Sequence, residues 1–266
     1  MLKILYFTKY TEAGPSSRYR SYQYQNYFAE NGFDVTFYPL FPTQYIQDLY
    51  GKGKKNWLIL IPKYIQRFFK IITIKNYDII YIEYELFPFV PFFFEKIALL
   101  GKKNIVLDYD DATFHSYDKN KNKIVQFICA KKIYQLVAKA SLVITGSPYL
   151  TDVLSKYNTN VFEIPTSINF KKYQQESNSS EIKNTNFKIG WVGSKYTSVN
   201  ILPLKNVFIE LQNKYDIELC LLGFDKKLLP QLNGVNYSFL EWNQASEVNT
   251  IQSFDVGIDD SHFGTP

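Results

Sequence analysis

The chain has 266 residues, enough for two domains, and 46% hydrophobic content, enough for a sizeable core. Cys129 and Cys220 show no CxxC or metal spacing, so they read as buried small hydrophobes and exclude a disulfide framework. The net charge of +5 is localised: residues 51–75 hold seven cations and no acid, which leaves 23 basic against 25 acidic residues elsewhere.

Residues 3–8 (KILYFT) predict a buried strand, and the loop 9–17 after it carries Gly14, Pro15, Ser16 and Ser17. A helix is expected over 17–31, capped by Gly32, and a strand over 34–38. Residues 55–74 read as a basic, aromatic helix kinked near Pro62. Strands follow at 78–83 and 104–107, then a long helix at 121–140 and a strand at 142–145. Ser147 and Pro148 signal a helix start, running to 157, and 161–164 closes the first domain as a strand. The polar, aperiodic stretch 171–186 is the expected linker. Beyond it lie a strand at 187–192 (FKIGWV), the loop Gly193-Ser194-Lys195, a helix at 198–214, strands at 217–222 and 236–239, a helix at 245–252 and a strand at 254–258. Alternating strands and helices imply parallel sheets with right-handed crossovers. The expected domains are 1–170 and 187–266, two α/β Rossmann-like halves facing each other across a cleft, the second of them incomplete.

An apolar strand that runs into a small-residue loop and a helix can cradle a phosphate on its backbone N–H groups. That makes Gly14, Ser16 and Ser17 candidates for binding a phosphate-bearing donor, with Arg18 and Arg20 in the next helical turn suited to bidentate phosphate contact. Gly193, Ser194 and Lys195 are the corresponding candidates in the second domain. The plainer readings are a solvated Arg pair and an ordinary strand-to-helix turn. Asp108, Asp110 and Asp111 sit at the carboxyl end of a strand, where open sheets bind ligands. They are suited to a divalent ion, to a sugar hydroxyl, or simply to capping a turn. Strand alternation places Glu83 and Glu85 on one face, as a carboxylate pair for sugar hydroxyls or a shared proton, or as solvated strand-end acids. His115 is either a general base or a surface histidine, and His262 carries no signal.

The segment 51–75 interleaves its cations with Trp57, Tyr64, Phe68 and Phe69. Such a helix suits an anionic bilayer as well as it suits an ordinary amphipathic surface. No nucleic-acid motif accompanies it, and neither opening strand is followed by the GxGxxG of a nicotinamide enzyme. No run reaches the length of a membrane span; the nearest, 86–100, is broken by Pro88, Pro91 and the Glu95-Lys96 pair. Because the N-terminus begins directly on a strand, no signal peptide is expected.

The chain resembles the family-4 (group 1) glycosyltransferases of the GT-B fold. The resemblance is carried by KILYFTKYTEAGPSSRYRSYQY, YDIIYIEYELFP, IVLDYDDATF, SLVITGSPYL with VFEIPTSIN, KIGWVGSKYTSVNIL with LCLLG, and FDVGI, in that order. It implies transfer of a sugar from a nucleotide-diphosphate donor to a glycan or lipid-linked acceptor, in surface polysaccharide synthesis on the cytoplasmic side of the membrane. It implies no metal and no organic cofactor. By position, Gly14–Ser17 would face the transferred sugar and diphosphate, and Gly193, Ser194 and Lys195 would approach the donor phosphates. Asp110 and Asp111 would line the reacting centre, with Glu83, Glu85 and His115 on the acceptor side. The family's later donor-site helix, with two glutamates seven residues apart, has no counterpart before Pro266. The resemblance therefore implies a C-terminally truncated member: an enzyme, or a non-catalytic protein that binds a membrane or a partner chain completing its second domain.

Overall fold

The opening apolar run forms β1 (Leu2–Phe7), whose last four residues are buried, as a strand covered by helices on both faces requires. A computed structural model describes the chain over residues 1–52, 59–173 and 186–259. It divides into two units, Met1–Ile168 and Asn169–Pro266. In the first, β1 leads through a loop to α1 (Pro15–Arg20) and α2 (Gln25–Glu30), and Gly32, at φ +76°, ends that helix before β2 (Phe33–Phe37). The chain returns through α3 (Thr43–Lys52) and α4 (Leu60–Lys70) to β3 (Ile79–Glu83). Then come α5 (Phe92–Ala98), β4 (Ile105–Tyr109), the single turn α6 (His115–Asp118), α7 (Lys123–Cys129), α8 (Lys132–Val137), β5 (Leu142–Thr145), α9 (Pro148–Leu154) and β6 (Val161–Glu163).

All six strands are parallel, in the order β2-β1-β3-β4-β5-β6. Leu5 pairs with Ile80, Ile82 with Leu107, and Leu107 with Val143. Together with Leu136, Leu150 and Leu154 from the helices, these residues make the core, and all are essentially without exposure. The order reverses between β1 and β3, so the connections leaving their carboxyl ends run in opposite directions, which is where such sheets hold ligands.

The second unit repeats the plan with fewer strands. It comprises α10 (Phe170–Tyr173), β7 (Phe187–Val192), α11 (Lys205–Gln212), β8 (Ile217–Leu222), β9 (Tyr237–Leu240), α12 (Glu247–Gln252) and β10 (Val256–Ile258). The strands are again parallel, in the order β10-β7-β8-β9. Trp191, Leu219, Leu221, Phe224 and Leu232 fill its core. Gly190 in β7 has a packing reason: a Cβ there would stand 1.9 Å from the Phe254 ring.

Several helices differ from expectation. The helix expected over 17–31 breaks at Ser21, whose backbone leaves the helical region (φ −131°, ψ −66°) while its hydroxyl bonds to Glu83. The helix expected over 121–140 is two, α7 and α8, and the turn between them lets α8 present Lys132 to the interior. In place of a helix over 198–214, two 3-10 turns precede the eight-residue α11. Pro62 lies in the first turn of α4, where it costs no helical hydrogen bond, so it produces no kink. Residues 53–58 of the basic segment, most of the linker, and His262 lie outside the described residues.

Arg67, counted above among the surface cations, is 1% exposed. It donates to the carbonyls of Leu86 at 3.1 Å, Thr8 at 2.6 Å and Tyr38 at 2.7 Å, and lies 5.2 Å from the Phe7 ring centre. Burial lowers its pKa to about 10, which still leaves it charged at neutral pH. One guanidinium thus joins α4 to the ends of β1, β2 and β3. Removing it strands three buried acceptors and opens a void. Arg67→Met should destabilise the protein by about 3 kcal/mol, read as a loss of melting temperature; an unchanged melt would show that the three carbonyls find other donors.

Candidate functional site

The first loop is held by one carboxylate. Glu83 ends β3, where the side chain is 3% exposed. Its Oε2 accepts from the Lys9 amide at 2.8 Å and the Ser17 hydroxyl at 2.6 Å, and its Oε1 accepts from the Ser21 hydroxyl. Ser17 in turn accepts from the Tyr10 amide at 3.0 Å. Three donors favour the charged form, but burial outweighs them and pushes the Glu83 carboxyl up to about 7. Gly14 closes the loop on itself: a Cβ there would stand 2.4 Å from Tyr10 Cβ. The Ser17 hydroxyl therefore serves the loop's own architecture, while Ser16, partly exposed, bonds to the Tyr84 phenol.

Glu83 and Glu85 do not act as a pair. Tyr84 between them adopts φ +59°, which ends the strand's alternation and turns Glu85 away. Glu85 accepts from Tyr117 at 2.5 Å and pairs with Lys132 at 2.6 Å; Lys132 also reaches Glu95 at 3.0 Å. Both glutamates are buried, so neither is a solvated strand-end acid. The solvated arginine pair is likewise corrected. Arg18 and Arg20 are buried, and Arg18 lies 4.9 Å from the Tyr19 ring centre. Arg20 grips Asp108 through Nε and Nη2 and donates to the Ile164 carbonyl at 2.6 Å. Asp108 also accepts from the Tyr81 phenol at 2.7 Å. Burial raises the Asp108 pKa against the pull of Arg20.

With Asp108 so engaged, Asp108-x-Asp110 does not form a joint ion site, and among the described residues no three His, Cys, Asp or Glu side chains are grouped to hold a metal. Asp110 accepts from the Tyr84 phenol, which burial and the Asp110 charge keep protonated. Asp111 is exposed and accepts from the Ala112 amide at 2.7 Å. His115 begins α6, with Nδ1 2.9 Å from Asp118 and Nε2 2.8 Å from the Tyr149 hydroxyl. Lys9 places its amine 4.6 Å from the Tyr84 ring centre, and burial lowers its pKa while Glu85, Asp110 and Asp111 oppose that shift. The carboxyl edge of this sheet thus brings together Lys9, Ser16, Tyr84, Asp110 and, beyond it, Asp111 and the His115–Tyr149 pair. Lys9, Tyr84 and Tyr149 escaped the sequence reading. Tyr84 carries no signal there, because its role depends on a backbone conformation that only the fold imposes.

In the second unit, Gly193 is held against Trp191: a Cβ would lie 2.2 Å from the indole. Gly223, at φ +82°, approaches the Gly193 carbonyl so closely that a Cβ would lie 2.4 Å from its oxygen. The loop caps itself. The Gly193 amide donates to the Leu222 carbonyl, Ser194 to the Thr197 hydroxyl, Tyr196 to the Ser194 hydroxyl, and Thr197 and Ser198 to the Ser194 carbonyl. Lys195 is half-buried beside this turn.

The Glu83 carboxyl gives a pH test. Between its ordinary value of 4.5 and about 7 the folded chain holds a proton that the unfolded chain has released. Folding stability from this group therefore falls as pH rises through that window, by about 3 kcal/mol at most. Glu83→Gln cannot titrate, so its thermal stability should decline less than wild type between pH 5 and pH 7.5. Parallel curves for the two proteins would refute the assignment.

No protein-family profile matches the sequence, and no curated protein matches it. Solved structures do. A trehalose-6-phosphate synthase studied with bisubstrate glycomimetics is similar over 97% of this chain and 77% of its own, at TM-score 0.60 and 11% identity. A protein described as a putative UDP-N-acetylglucosamine 2-epimerase from Listeria monocytogenes is similar over 96% and 73%, at 0.58 and 13%. Anabaena Alr3699/HepE in complex with UDP and glucose is similar over 97% and 73%, at 0.55 and 14%. At such identities the likeness is one of fold: the chain is an α/β protein of two Rossmann-like units of the GT-B type.

Proposed function

We propose that the chain is a glycosyltransferase that moves a sugar from a nucleotide-diphosphate donor to a glycan or lipid-linked acceptor in surface polysaccharide synthesis, at the cytoplasmic face of a membrane. One observation carries this reading: two parallel sheets each end β-strand one in a tight glycine-bearing loop, in a fold shared with a protein solved with UDP and glucose. The second unit takes the donor, with Lys195 neutralising phosphate charge beside the tight turn that Gly193 and Gly223 make possible. The first unit takes the acceptor. Asp111 and His115 present polar groups to its hydroxyl, while the loop closed by Gly14 and Ser17 presents Ser16, with Arg18 behind it, to the transferred sugar. Asp110, oriented by Tyr84, stabilises positive charge as the glycosidic bond to the diphosphate breaks. The reaction proceeds without a bound metal or organic cofactor, and the basic segment 51–75 attaches the protein to the membrane.

A second reading, a non-catalytic protein of the same fold, is favoured by the self-capped second loop, whose amides at 193, 194 and 196–198 all have internal acceptors. Calorimetric titration with UDP and GDP separates the two. The transferase reading expects one of them to bind and Lys195→Ala to weaken it roughly tenfold, the loss of one charge-assisted contact. It further expects Asp111→Asn to lower sugar transfer with nucleotide affinity unchanged. Absence of binding by both nucleotides would leave the non-catalytic reading.

A further inference from the structure

Helix α4 turns its polar chemistry inward and its apolar chemistry outward. Its inner side carries the buried Arg67 and Leu60, with the Tyr64 hydroxyl donating to the Pro88 carbonyl. On the other side Ile61, Ile65, Phe68, Phe69 and, just past the helix, Ile72 recur at helical spacing, and each is more than half exposed. Helix α5 adds Phe93 at 62% and Ile97 at 55% exposure. The two helices enclose a groove of about 350 Å³, walled by Ile65, Phe68, Phe69 and Phe94 over Phe87 and Val90. An exposed apolar surface of this extent marks an interaction site rather than scatter.

The charges on the two helices that are not buried have one sign. Lys63 and Lys96 lie on α4 and α5, while the Lys70 amine is drawn to the Tyr77 hydroxyl and the Lys102 amine to the Tyr77 carbonyl, each at 3.0 Å. Within 59–77 and 84–104 no carboxylate is exposed, because Glu85 and Glu95 are buried against Lys132; the exposed Asp78 that follows accepts from the Lys3 amide at 2.8 Å. A second copy of the chain does not suit such a face, since a self-complementary contact would set one lysine rim against another. Nucleic acid does not suit the apolar stripe, which offers its phosphates no partner. Among the described residues no helix is long and apolar enough to cross a membrane.

We propose that the α4–α5 face binds an anionic lipid bilayer, with its aromatic side chains at the headgroup level, lysines on lipid phosphates, and one hydrocarbon chain seated in the groove. This deepens the peripheral-membrane part of the function proposed above and extends it beyond residues 51–75 to α5. It does not depend on sugar transfer.

The test is flotation of the full chain with vesicles of phosphatidylcholine alone or mixed with phosphatidylglycerol. Wild type should float with the anionic vesicles and respond to added salt. The double variant Phe68→Ser with Phe69→Ser should lose vesicle partitioning by roughly tenfold or more, and Lys63→Gln with Lys96→Gln should lose the preference for phosphatidylglycerol. All four positions are at least partly exposed, so unchanged circular dichroism should accompany these losses. A tryptophan placed by Phe94→Trp should be quenched by lipid brominated on its acyl chains. Equal flotation of wild type and the double Phe variant, no flotation at all, no quenching, or a stable dimer that the double Phe variant dissociates would each overturn the proposal. Nucleotide titration of the same variants keeps the outcomes apart: vesicle binding without UDP or GDP binding would sink the transferase reading and leave this one standing.

Discussion

The first unit depends on putting charge where water is absent and then surrounding it. Glu83 gathers an amide and two hydroxyls from the opening loop, and Asp108, one strand over, is gripped by Arg20 from the helix after that loop. Both carboxylates stand at the carboxyl ends of parallel strands, and their Cα atoms are paired in register. Neither is a strong source of net stability, since desolvation offsets much of what a buried charge gains from its partners. Their value is geometric. The seven residues between β1 and α1 acquire one position, because any other leaves a buried carboxylate short of donors. Ser21 shows the cost of that arrangement: its hydroxyl goes to Glu83 and the helix breaks there.

The same principle explains what was legible in the sequence and what was not. Strands β7 and β8 stand where apolar runs 187–192 and 217–222 place them, since a strand buried on both faces announces itself by composition. Gly32 and the Ser147-Pro148 helix start are local signals and act locally. The breaks within 17–31 and 121–140 carry no local signal because they answer to remote partners: Ser21 to Glu83, and Lys132 to Glu85 and Glu95. Site residues divide in the same way. Gly14 and Gly193 reveal themselves as glycines after strands. The roles of Glu83, Glu85 and Asp108 hinge on which donors the fold delivers, and Tyr84's positive φ cannot be read from the letter Y.

Helix α4 is the sharpest case. Amphipathic analysis assigns cations to water and aromatics to the core, and here Arg67 is interior while Phe68 and Phe69 are exterior. The inversion is consistent with physical chemistry once the carbonyls of Thr8, Tyr38 and Leu86 are seen to converge. Three strand-end acceptors in an apolar setting need a donor of fixed, branched geometry, and a guanidinium supplies it. Arg67 shares the inward side with Leu60 and Tyr64, and Ile61, Ile65, Phe68 and Phe69 lie on the other side.

The two glycine loops, alike in sequence position, are built on opposite principles. The first is fixed by a distant buried carboxylate, so its shape is set by the sheet beneath it. The second satisfies its own amides through the Leu222 carbonyl, the Ser194 hydroxyl and carbonyl, and the Thr197 hydroxyl, which makes it stable without any ligand. A phosphate arriving at the second loop must compete with hydroxyls already in place, and exchanging one neutral acceptor for a charged one yields only the difference between the two bonds. Under the transferase proposal, affinity there would rest on the cation that the turn carries, Lys195, more than on the main chain. Any recognition by such a self-sufficient loop would be electrostatic first and geometric second, and its strength should track ionic strength more closely than loop sequence.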